Sequence, residues 1–123
     1  MGGVFHFQNY PVYKDTREFR KKIRVIIRKK FPKEQRFCLT SQLWRAMDSI
    51  LLNIAEGSER YSKTDFSRFL NNALSSLNEV IACIDLAYDD GYLDKKELDK
   101  LSSDAERIYR QLKAFSAKIR SMK

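Results

Sequence analysis

The sequence predicts an all-α protein, an antiparallel up-down-up-down four-helix bundle. Three observations carry that expectation. Apolar residues recur at three- and four-residue steps in four blocks, the repeat of one helix face. Only two prolines and four glycines occur in 123 residues, which favours long helices. The breaks between blocks are short, and short connections make successive helices antiparallel neighbours. Hydrophobic residues at 43% and aromatics at 12% supply enough apolar surface for one core.

Residues 1–10 read as an N-terminal tail, with Phe5 and Phe7 alternating with His6 and Gln8 as in an extended segment laid on a neighbour. The bundle is expected over 11–123, with helices at about 12–31, 34–57, 63–90 and 95–121. Helix one begins behind Pro11, a residue tolerated in a first turn. Val12, Phe19, Ile23, Ile26, Ile27 and Phe31 form its inward stripe, and Pro32 stops it.

Helix two is the central one. Leu39, Leu43, Ala46, Met47, Ile50 and Ile54 mark one face, and Trp44, Leu51, Leu52 and Ala55 widen it until most of the helix is apolar. Gly57 is expected just past its end, where φ > 0 is common. Asn53 lies between Leu52 and Ile54, so its amide needs a partner on another helix or on the backbone. Glu56 stands at the unfavourable end of the helix dipole and calls for a base, Arg60 or Arg45.

Helix three opens at Ser62-Lys63-Thr64-Asp65, a capping-box spacing with Asp65 in place of Glu. Its apolar residues, from Phe66 to Ala87, are numerous enough to contact more than one neighbour. Gly91 makes the next turn, and Asp94 with Glu97 caps helix four. Leu98, Leu101, Ala105, Ile108, Leu112, Phe115, Ile119 and Met122 then form a heptad seam. The aromatic residues of helices one to three are expected in the core.

Net charge is +8, and all of it sits in one segment. Residues 14–36 hold eleven bases and three acids, while the rest of the chain is balanced. At 100° per residue, Lys14, Arg17, Lys21, Arg24 and Arg28 fall in one row about 21 Å long. A solvated face ordinarily mixes signs, and this row contains no acid. Like charges at these spacings repel by a few tenths of a kcal/mol per pair, a cost that bound phosphates would offset. Lys22, Lys29 and Lys30 are placed to assist.

Catalytic constellations are missing from the pattern. One histidine and two cysteines are too few for a tetrahedral zinc site, and no glycine-rich phosphate loop, serine elbow or HExxH occurs. Cys38 and Cys83 read as reduced thiols on helices. No apolar run approaches the ~20 residues that span a bilayer, and the N-terminus lacks the pattern of a signal peptide. A cytoplasmic, nonenzymatic protein without a cofactor, metal or membrane partner is expected.

An ordered set of motifs points further. Asn53-Ile54-Ala55-Glu56-Gly57 follows Gln42-Leu43-x-Arg45-Ala46 and Ser49-Ile50, and precedes Arg60. Phe31-Pro32-x-Glu34, Phe66-x-x-Phe69-Leu70, Ala73-Leu74-Ser75-Ser76-Leu77-Asn78-Glu79 and Gly91-Tyr92-Leu93 complete it. With these the chain resembles the small bacterial four-helix-bundle family called S23 ribosomal proteins or 23S rRNA intervening-sequence proteins. Trp44 stands where that family often has a second arginine, and Ser75-Ser76 where it often has glycine-serine. The resemblance implies a left-handed bundle and a ring-shaped homopentamer with a central channel. It assigns no biochemical role. Relatives that share fold and charge are accessory proteins of diversity-generating retroelements, basic pentamers that bind nucleic acid and a reverse transcriptase.

Two functions compete on these grounds. One is an oligomer that binds RNA, such as rRNA, or DNA through the basic face of helix one. The other is a protein-interaction scaffold, such as an accessory factor of a reverse transcriptase. Asn53, Glu56, Gly57 and Arg60 are expected to serve structure in either case.

Overall fold

A computed structural model describes residues 3–122. It holds four long helices, and no strand occurs among the described residues. They are α1 (Pro11–Lys30), α2 (Leu39–Ser58), α3 (Lys63–Asp89) and α4 (Lys95–Ser121). α2 and α3 make the most extensive contact, followed by α3 with α4. α1 closes the arrangement more lightly, touching both α4 and α2.

The core is one cluster contributed by all four helices. Ile23, Leu43, Met47, Ile50, Ile54, Leu70, Leu77, Ile84, Ile108 and Leu112 are almost completely enclosed. These are the inward positions of each apolar repeat. Each such side chain contributes about 1.5–3 kcal/mol when fully buried. Two hydroxyl pairs sit within the packing. Ser49 and Ser76 join α2 to α3 at 2.8 Å, and Ser67 and Ser116 join α3 to α4 at 3.1 Å. Thr16 is also fully buried, and its hydroxyl donates to the Val12 carbonyl at 2.7 Å, one turn back.

Several ends follow the sequence chemistry. Phe31 is extended before Pro32 and closes α1. Asp94 accepts from the Glu97 amide at 2.7 Å while Glu97 accepts from the Asp94 amide at 2.9 Å, a complete capping box. Gly91 has φ +81°, and its turn lets the Tyr92 amide donate to the Ala87 carbonyl. At Ser62 only half a box forms: its hydroxyl accepts from the Asp65 amide, and the Asp65 carboxylate turns to Arg68 at 2.9 Å.

Four expectations are corrected. Helix two starts at Leu39, not near 34, because 33–35 form a 3-10 turn bonded by i→i+3 contacts after Pro32. The apolar repeat begins only at Leu39, and Phe37 before it is 84% exposed. Gly57 does not terminate α2 with positive φ; it is helical and buried. His6–Asn9 form a 3-10 helix rather than an extended segment, with Phe7 edge-on to Tyr13 at 5.0 Å. Leu52 lies outside the core, 66% exposed, so the apolar girdle of α2 is incomplete.

Candidate functional site

The basic row stands on α1 because Val12, Thr16, Phe19, Ile23 and Ile27 claim its inner face. Lys14, Arg17, Lys21, Arg24 and Arg28 are all exposed. Lys21 reaches Glu18 at 3.1 Å, a pair with both side chains largely in solvent. Such a pair contributes about 0–1 kcal/mol and gives way to a better anion. Lys14, Arg17, Arg24 and Arg28 form no ion pair among the described residues. Arg17 lies 6.0 Å above the Tyr13 ring.

The flank of α1 that faces α4 differs. Lys22 pairs with Asp104 at 3.0 Å and Lys30 with Glu97 at 3.5 Å. These two cations brace α1 against α4, and only Lys29 of the three assisting lysines is without an acid among the described residues. Asp15 adds to this brace by accepting from the Gln111 amide at 2.8 Å.

The opposite flank forms a cleft with α2 of about 370 Å³. Tyr13, Arg17, Arg20, Lys21 and Arg24 line its α1 side. Asp48, Leu51 and Leu52 line its α2 side. Arg20 was not singled out by the row, because it sits one position off it. Its Nε donates to Asp48 Oδ1 at 2.7 Å, and its guanidinium carbon lies 4.8 Å over the Trp44 ring. The acid and the aromatic face together orient this planar, partly exposed cation.

The motif around Asn53 builds the α2–α3 contact. Asn53 donates to the Ser49 carbonyl at 2.8 Å and to its hydroxyl at 3.1 Å, so its partners lie on its own helix. Glu56 accepts from Arg60 at 2.8 Å, and Arg45 goes instead to Glu79 on α3 at 2.7 Å. The Arg60 guanidinium sits 4.4 Å over Phe69. Gly57 lies under the same residue: a Cβ there would stand 2.7 Å from the Phe69 Cβ. Glycine is required because two helix backbones approach at this point.

No group of three or more metal-ligating side chains occurs among the described residues, and no described helix is long and apolar enough to cross a membrane. Burial pushes the Cys83 thiol up, with Glu79 adding to the rise and Arg45 opposing it. A thiol held protonated and enclosed is a poor nucleophile.

Residues 8–114 match the profile of the family described as 23S rRNA-intervening sequence protein. A solved structure is also similar, that of a protein with unknown function from the S23 ribosomal protein family of Bacteroides thetaiotaomicron. It is 25% identical with a TM-score of 0.76, covering 85% of this chain and 97% of that one. No curated protein matches.

Proposed function

Since the chain belongs to the family of 23S rRNA-intervening sequence proteins, and one similar solved structure is of a protein with unknown function, we propose its role from its own surface: a nonenzymatic, cytoplasmic oligomer that binds nucleic acid through the basic face of α1. One observation carries this. Four cations of the row are exposed and without an acid among the described residues, while Lys22 and Lys30 beside them are matched by α4. A row left uncompensated on one flank only suits a linear polyanion such as RNA.

The short connections and the closed packing order support an antiparallel up-down-up-down course, left-handed as the resemblance implies. We take the assembly to be the ring of five that the resemblance also implies. Exposed apolar side chains on α3 and α4, Leu86 and Tyr109, support self-association.

Affinity for a short single-stranded RNA, measured by fluorescence anisotropy against salt, tests the proposal. With five phosphate contacts on one strand the log–log slope is roughly −3.5 per site. Arg24→Gln should make it shallower by about 0.7, and Lys30→Gln should change it less. A flat slope, or no binding at low salt, refutes the proposal.

A second reading is a protein scaffold, such as an accessory factor of a reverse transcriptase. Phe37 and Tyr61, exposed aromatics in the connections at the two ends of α2, favour a protein contact. A reverse transcriptase encoded beside this gene, and copurifying with the protein, would support it.

A further inference from the structure

We infer that the cleft between α1 and α2 receives an unpaired base of a single strand whose phosphates lie along the α1 row. This deepens the nucleic-acid reading and rests on it. Arg17, Lys21 and Arg24 belong both to the row and to the cleft. A nucleotide bound to them by its phosphate therefore has its base within reach of the α2 wall. That wall carries Leu51 and the 66% exposed Leu52. Apolar surface beside a cation ladder contributes nothing to phosphate binding. An unstacked base would cover it, whereas a duplex keeps its base faces inside.

Dimensions agree. The row is about 21 Å long, enough to meet several successive phosphates of one strand. The cleft, at about 370 Å³, is an open surface groove that a flat base could lie against. Arg20 borders it, paired with Asp48 and lying over Trp44. The second carboxylate oxygen of Asp48 can accept from an exocyclic base amine.

The test uses the whole protein and three probes: a short single strand, an abasic strand with the same number of phosphates, and a duplex of that length. The base-bearing strand should bind severalfold tighter than the abasic one, because the base covers apolar side-chain surface. Leu52→Ser, at an exposed position outside the core, should remove most of this advantage and leave abasic binding intact. Equal affinity for base-bearing and abasic strands, or tighter binding of the duplex, overturns the inference while leaving the phosphate contact standing. An advantage untouched by Leu52→Ser overturns the assignment to this cleft. Failure of all three probes at low salt overturns the nucleic-acid reading itself.

Discussion

A methyl group added at Gly57 would meet the Phe69 Cβ at 2.7 Å and the Phe66 ring at 3.1 Å. The Phe69 Cβ is anchored to the α3 backbone, so relief requires the two helices to part. Gly57→Ala should therefore destabilise the protein by about 1–3 kcal/mol, the usual cost of overpacking, read as a lower denaturant midpoint. An unchanged midpoint would mean that α3 yields freely. The sequence showed a glycine at the end of an apolar run, and the commonest reason for one there is a helix stop. The actual reason depends on where Phe69 lies, which a single helix pattern does not contain. The two thiols separate in the same way. Cys38 is exposed and Cys83 is 5% exposed with its thiol kept protonated. Alkylation of the native protein should modify Cys38 and spare Cys83 until unfolding, as mass spectrometry would show; equal labelling rates would contradict the packing of α3.

At the scale of elements, α1 carries the charge and has the lightest packing of the four helices. Its attachments include Lys22–Asp104, Lys30–Glu97 and Arg20–Asp48, ion pairs that are partly exposed. Pairs of that kind contribute about 0–1 kcal/mol each and weaken with salt. Native-state hydrogen exchange should therefore show α1 opening at lower free energy than α2 and α3, with the gap widening at higher salt. Uniform protection would show that apolar contacts alone hold α1. Helices one, three and four were legible because an apolar repeat and a stop or cap mark each of them. The start of helix two was not, because Glu34 to Arg36 are good helix formers whose local preference loses to the turn after Pro32. The pairing of Lys22 and Lys30 was equally hidden, since their acids come from α4 and no feature within α1 announces them.

For the whole molecule, composition gives a net charge of +8 and its location gives a direction. The candidate site divides into a row that the residue spacing revealed and a cleft that it did not. The row needs only the geometry of one helix, while the cleft needs α2 beside it. Light scattering should report a mass several times that of the 14.5 kDa chain; a monomer would remove the ring from the proposal and leave each row to act alone. The apolar seams fix which faces meet but tolerate sliding, since one leucine replaces another after a turn. The serine pairs do not tolerate it. A shift of one turn, about 5.4 Å, would part the Ser67 and Ser116 hydroxyls and lose the hydrogen bond between them. Those two oxygens, with the two of Ser49 and Ser76, set the longitudinal alignment of α2, α3 and α4 like notches on a ruler, while α1, which neither pair touches, takes its height beside them from contacts such as Arg20–Asp48 and Lys22–Asp104.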